Sequence, residues 1–189
     1  MDDDLRDEDF LRLDEQICFS LHAAARAFNG VYRTALKELG LTYPQYLVML
    51  VLWEHDELPV KKIGERLRLD SGTLSPLLKR LEATGYVERR RSPEDERSVA
   101  VRLTDEGIAL REKARGVPRA IAESTGLSLG EVRDLRTRLN ALTAALDGAE
   151  ARAGASAEAG AQAGAQASAG RRSGDQPPTP PARTPPPSS

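Results

Sequence analysis

Between Lys61 and Leu103 the apolar pattern changes its period from helical to alternating, and few folds accommodate that order. A helical spacing at Ile63 and Leu67 leads through a short turn at Leu69, Asp70 and Ser71 into a second helical stretch. That stretch, Leu74-Ser75-Pro76-Leu77-Leu78-Lys79-Arg80-Leu81-Glu82, stops at Gly85. Two small helices joined by a tight turn are the unit that lays a helix in a DNA groove. Tyr86-Val87-Glu88-Arg89-Arg90-Arg91 follows, then a polar turn from Ser92 to Glu96, then Val99-Ala100-Val101-Arg102-Leu103 with the period of a hairpin. The order predicts a winged helix-turn-helix, a mainly α fold with a small β-hairpin as its wing.

The flanking segments are helical. Leu13, Ile17, Cys18, Leu21, Ala24, Phe28, Tyr32, Leu36 and Leu39 step by three and four, predicting a long amphipathic helix that ends at Gly40, with Asn29-Gly30 as a point where it could bend. Thr42, Pro44 and Gln45 supply a capping box before an apolar helix from Tyr46 to Trp53, expected in the core. After the wing, Thr104 caps a helix from Asp105 to about Ser124, and Ser128 with Glu131 opens another to Leu146. The stripe Leu135, Leu139, Leu142 and Leu146 is placed to form a dimer interface.

Composition separates the ends from the module. From Asp147 to Ser189 there is no Leu, Ile, Val, Phe, Met, Trp or Tyr, so little can be buried against the entropy of ordering and disorder is expected. The reading is an acidic leader over 1–10, a winged-helix module over 11–147 and an Ala/Gly/Pro-rich tail over 148–189. No apolar run reaches a membrane-spanning ~18 residues, and Met1-Asp2-Asp3-Asp4 lacks the positive charge of a secretory signal, so a cytoplasmic protein is expected. One cysteine and two histidines give neither a disulfide framework nor a zinc cluster, and no cofactor is expected.

The net charge is −2, with a pI near 5.8, which as a whole does not suggest nucleic acid. Residues 60–103, however, hold eleven Lys and Arg against seven Asp and Glu, while residues 1–15 hold eight acids against two arginines. Duplex phosphate responds to the field near the contact, so a locally basic module in an acidic chain remains a DNA binder. In the second helix of the unit, Ser71, Thr73, Ser75, Lys79 and Arg80 are available to bases or phosphates in the major groove. Where that helix starts is open: a cap at Asp70 or Ser71 leaves Pro76 beyond the first turn, where it should kink the helix, and a cap at Thr73 brings Pro76 to N3. In the wing, Asp95 and Arg97 share a face, so the carboxylate can aim the guanidinium at a minor groove. Arg89, Arg90 and Arg91 are expected on phosphates.

These residues resemble the MarR family of winged-helix repressors over about residues 10 to 147. Leu69-Asp70-Ser71-Gly72-Thr73-Leu74-Ser75-Pro76-Leu77-Leu78-Lys79-Arg80 with Asp95-Glu96-Arg97-Ser98-Val99 looks like its organic-hydroperoxide-sensing branch, OhrR. So does Gln16-Ile17-Cys18-Phe19 with Tyr32 and Tyr43, matching that branch's reactive cysteine and the two tyrosines that hydrogen-bond it, while His22 stands where some members carry another tyrosine. Cys18 and Tyr32 are fourteen residues apart, which places them ~40° apart around one helix yet ~21 Å apart along it. They cannot touch within one straight helix, and the resemblance implies a site that Tyr32 and Tyr43 complete across a homodimer.

The resemblance therefore implies a homodimeric repressor, not an enzyme, bound to a pseudo-palindromic double-stranded operator and released when an organic hydroperoxide oxidises Cys18. Two phenol donors, and a helix start expected at Asp14, would favour the thiolate. With one cysteine in the chain, the sulfenic acid goes on to a mixed disulfide with a low-molecular-weight thiol or to over-oxidation. Phe19, Phe28, Leu47 and Trp53 would suit an alkyl hydroperoxide or simply the core. The alternative is a MarR-type repressor relieved by a small aromatic ligand, with Cys18 structural as free cysteines often are. A one-Cys peroxidase is disfavoured because the chain lacks the alternating strands and helices of a thioredoxin-like sheet, and an architectural DNA protein because the basic surplus is modest.

Overall fold

The computed structural model describes residues 11–91 and 99–172, with side chains over 11–90 and 99–156. The chain divides into two compact units between Leu129 and Gly130. The first contains a 3₁₀ turn (Leu13–Glu15), α1 (Ile17–Ala35), a 3₁₀ turn (Lys37–Leu39), α2 (Tyr43–His55), β1 (Glu57–Pro59), α3 (Val60–Leu67) and α4 (Ser71–Ala83). It continues with β2 (Val87–Arg91), β3 (Val99–Leu103), α5 (Asp105–Ala114) and α6 (Val117–Ser124). The second unit is the body of α7 (Leu129–Arg172). No helix among the described residues is long and apolar enough to cross a membrane.

The core grows from α2. Thr42 N–H donates to Gln45 Oε1 at 2.8 Å in the expected capping box, and Tyr46, Val48, Met49 and Leu52 are fully enclosed. Against them pack Leu36 from the end of α1, Ile63 of α3, Leu74, Leu78 and Leu81 of α4, and Val87 and Val101 of the sheet. The buried Trp53 Nε1–H donates to the Gly107 carbonyl at 2.9 Å and so ties α2 to α5. Trp53 thus belongs to the core.

The helix-turn-helix closes tightly because of Gly64. A Cβ built there would lie 2.8 Å from the Leu69 carbonyl oxygen and 3.6 Å from Leu74 Cδ2, so only a residue without a side chain lets the turn fold back this closely. The turn itself is made by Arg68, whose φ of 55° is left-handed.

The wing pairs as its alternation predicts, Val87 facing Leu103, Arg89 facing Val101 and Arg91 facing Val99. A third strand joins it, giving the antiparallel order β1-β3-β2. The sequence shows no sign of β1, which has three residues and ends in Pro59, a residue confined to sheet edges.

Several helix boundaries differ from expectation. The first helix stops at Ala35, and the 3₁₀ turn after it ends in left-handed Gly40. Asn29-Gly30 does not interrupt it. Its cap is Gln16, not the expected Asp14, which lies in the preceding turn held by Arg12 Nη2 at 2.8 Å. The helix after the wing, capped by Thr104 as expected, breaks at Arg115 and Gly116, ahead of Pro118. The last helix starts at Leu129, directly after Ser128, and continues past Leu146 into the tail as far as Arg172. Its alanines, glutamines and arginines favour the helical state, while its glycines oppose it. No residue from 130 to 156 is buried, and Leu135 and Leu146 are 44% and 58% exposed.

Gly64→Ala should cost ~1 to 3 kcal/mol of stability, because the colliding atom is backbone and cannot swing aside. Gly116→Ala, where a Cβ meets nothing within 4 Å, should be neutral or stabilise by up to ~1 kcal/mol. Urea unfolding midpoints of the two variants check both.

Candidate nucleic-acid interface and redox site

Asp70 sets the start of α4. Its side chain accepts from Thr73 N–H at 2.8 Å and from Thr73 Oγ1–H at 2.9 Å, which makes it the N-cap and resolves the alternatives left by the sequence. These bonds hold its carboxyl below the usual carboxylate range. Pro76 accordingly lies inside the helix, where it has no N–H for the Gly72 carbonyl, and the helix nonetheless runs on to Ala83.

Leu74, Leu78 and Leu81 turn one stripe of α4 into the core. Ser71, Thr73, Lys79 and Arg80 are exposed on its other faces, and Ser75 is half-buried with its hydroxyl donating to the Ser71 carbonyl at 2.7 Å. The hydroxyls of Thr73 and Ser75 are therefore engaged in the helix's own first turn. Lys79 and Arg80 have no ion-pair partner among the described residues, and their charge is available to an external anion.

In the wing, Asp95 and Arg97 lie outside the described residues. Arg89 is not open to solvent as a free cation: its Nε donates to Glu82 Oε2 at 2.8 Å and its Nη2 lies 2.6 Å from the same oxygen. Arg90 pairs with Glu88 at 2.7 Å. Sequence reasoning missed Glu82 as a partner. The signal was present in the strand alternation, which puts Arg89 on the face of buried Val87.

The three redox residues fall at two places. Cys18, the second residue of α1, is exposed. Tyr32 lies near the other end of the same helix, its ring centroid 4.3 Å from that of Tyr43 with the planes inclined at 33°. Tyr46 is 6.0 Å from Tyr32, and Trp53 meets Tyr46 edge-on at 6.1 Å. Burial, reinforced by Tyr43 and Tyr46, pushes the Tyr32 hydroxyl up to about 12. Because α1 is continuous from Ile17 to Ala35, the ~21 Å along its axis separates Cys18 from the tyrosine pair of its own chain.

Around Cys18 the helix carries apolar side chains that the described residues leave exposed. No residue of α1 is buried, and Ile17, Phe19, Leu21 and Phe28 are 66%, 43%, 36% and 39% exposed. Farther along, Ala24, Ala27, Phe28 and Val31 face Ile121 and Leu127 across an apolar groove of about 300 Å³. No group of three or more potential metal ligands occurs among the described residues.

The Asp70 cap has a pH signature. A carboxylate held low in the folded chain stabilises it fully above the ordinary carboxylate value of ~4, and that contribution fades as pH falls through the lower folded value. Asp70→Asn retains a good cap without the titration, so its stability should decline less than that of the unmodified chain below about pH 4. Thermal melts across the acid range check this, and parallel declines would contradict it.

Residues 30–113 match the family of transcriptional regulators SarA/Rot. The chain is 53% identical over 142 residues to the HTH-type transcriptional regulator TtmR of Methylorubrum extorquens, spanning 75% of this chain and 71% of that protein. It is 48% identical over 139 residues to the organic hydroperoxide resistance transcriptional regulator of Bacillus subtilis, spanning 74% and 92%. Among solved structures, AbfR of Staphylococcus epidermidis, reduced and bound to DNA, superposes with a TM-score of 0.63 at 38% identity, covering 75% of this chain and 99% of that one. With the helix-turn-helix of α3 and α4, the β2-β3 wing and these relatives, the chain belongs to the MarR-type winged-helix family of transcriptional regulators.

Proposed function

We propose that the chain is a cytoplasmic homodimeric repressor that binds a pseudo-palindromic double-stranded operator and is released when an organic hydroperoxide oxidises Cys18. The observation that carries the reading is the placement of an exposed Cys18 near one end of α1 and of Tyr32, in ring contact with Tyr43 of α2, near the other. A second copy of α1 running antiparallel covers the exposed apolar residues of the first and brings its Tyr32 and Tyr43 to Cys18. The hydroperoxide-resistance regulator among the relatives supports the choice of oxidant.

In the reaction, the Cys18 thiolate attacks the hydroperoxide O–O bond. An S–O bond forms, the O–O bond breaks, and the departing alkoxide takes up a proton to leave as the alcohol. The tyrosine hydroxyls donate to the sulfur before attack. The resulting sulfenic acid condenses with a small thiol, releasing water and leaving a mixed disulfide, or takes oxygen from further peroxide to become sulfinic and sulfonic acid. The bulk added at the helix seam displaces Tyr43, the first residue of α2, and the reading helices lose the ~34 Å spacing of successive half-sites.

On DNA, Ser71, Thr73, Ser75, Lys79 and Arg80 of α4 face the major groove, and Arg97, steadied by Asp95, enters the minor groove. A second reading, relief by a small aromatic ligand with Cys18 structural, is favoured by the groove between α1 and α6.

Cys18→Ser should bind operator as the unmodified protein does and stay bound when cumene hydroperoxide releases the latter. Tyr32→Phe should slow release by ~10-fold, the equivalent of one hydrogen bond to a charged group. Mobility shifts with and without hydroperoxide, with the mass of the Cys18 peptide from the same sample, decide the matter. Release of Cys18→Ser by hydroperoxide removes the sensor, and release of both proteins by an aromatic acid supports the second reading.

A further inference from the structure

We propose that Arg89 is a positioning residue that struts the wing against the reading helix through Glu82, and that it does not meet DNA phosphate. The inference rests on the operator-binding reading above.

Alternate residues of a strand share a face. Arg89 therefore points to the side of the sheet on which Val87 is buried, at 2% exposure, while Glu88 and Arg90 point to the other side and pair with each other. On the Val87 side stands the last turn of α4, and Glu82 meets the guanidinium there through Nε at 2.8 Å and Nη2 at 2.6 Å. Each side chain is only about a third exposed, 32% for Arg89 and 36% for Glu82, so the pair is partly shielded from water. Arg89 lies opposite Val101 in the β2-β3 ladder. Fixing its head to α4 fixes the base of the hairpin relative to the reading helix.

Charge balance points the same way. Lys79 and Arg80 have no acidic partner among the described residues, whereas the charge of Arg89 is already matched. Moving Arg89 to a phosphate would leave Glu82, held below the usual carboxylate range by this guanidinium, unpaired beside an anionic duplex. The two roles therefore make opposite demands on Glu82. A strut needs its charge, and a phosphate ligand is better off without it.

The test uses the full-length chain and a 30-base-pair duplex that the unmodified protein selects from a random-sequence library, titrated across a range of salt concentrations. Glu82→Gln and Arg89→Gln should each weaken binding by ~5- to 20-fold, as expected for a lost charge-assisted hydrogen bond. The slope of log affinity against log salt should stay that of the unmodified protein. The reversed pair, Glu82→Arg with Arg89→Glu, should recover affinity to within ~3-fold, as a coupled pair does in a double-mutant cycle. Unchanged or tighter binding by Glu82→Gln, or a slope flattened by ~0.9 in Arg89→Gln, makes Arg89 a phosphate ligand and overturns the proposal. Failure of the reversed pair to recover also overturns it, melting temperatures having shown that it folds. If the unmodified chain selects no duplex, the operator reading falls along with the strut.

Discussion

A continuous helix keeps the chain's one thiol from Tyr32 of its own chain, and that separation shapes the rest of the molecule. α1 holds Cys18 at one end and Tyr32 at the other with no break between. It buries none of its own residues while presenting Ile17, Phe19, Leu21 and Phe28 to the outside. Ile17, Leu21 and Phe28 fall on one side of the helix, and exposed apolar surface of this kind marks an interaction face. On the proposed reading, one association covers this surface and completes the redox site at the same time, so sensing and dimerisation are a single structural event.

The path from that site to DNA is short because α2 is both the floor of the tyrosine pair and the centre of the core. Tyr43 opens α2, Tyr46 and Met49 fill the interior, and Trp53 near its end is tied to Gly107 of α5. α4 packs its Leu74, Leu78 and Leu81 into the same core. A close-packed interior transmits displacement instead of absorbing it. On the proposed reading, a group forced between Tyr32 and its neighbours would shift the element on which the reading helix rests.

Much of this was legible in the sequence because the signals were periodic or chemically specific. The Thr42 capping box, the alternation of Val87 to Arg91 and of Val99 to Leu103, and the apolar run of α2 each name one local structure. What escaped was short or depended on contacts between distant residues. β1 has three residues and no period to detect, and it exists because β3 offers a free edge. Asp14 looked like a cap, but Arg12 two residues before it claims its carboxylate, leaving Gln16 to begin the helix. The break at Arg115-Gly116 lay inside a pattern whose apolar spacing continued across it. At the site, Lys79 and Arg80 are exposed, and the pairing of Arg89 with Glu82 depends on a strand face that a reading of charge alone does not consider.

The central claim is that each sulfur is served by tyrosines from the other copy, and mixed dimers measure this directly. One subunit carries Cys18→Ser, the other carries Tyr32→Phe with Tyr43→Phe, and the rate of sulfenic acid formation at the remaining Cys18 is followed by mass spectrometry after addition of organic hydroperoxide. If the site is shared, the intact sulfur of one copy faces the intact tyrosines of the other, and the mixed dimer oxidises as fast as the unmodified protein. A rate as slow as that of the dimer lacking all four tyrosines would contradict it.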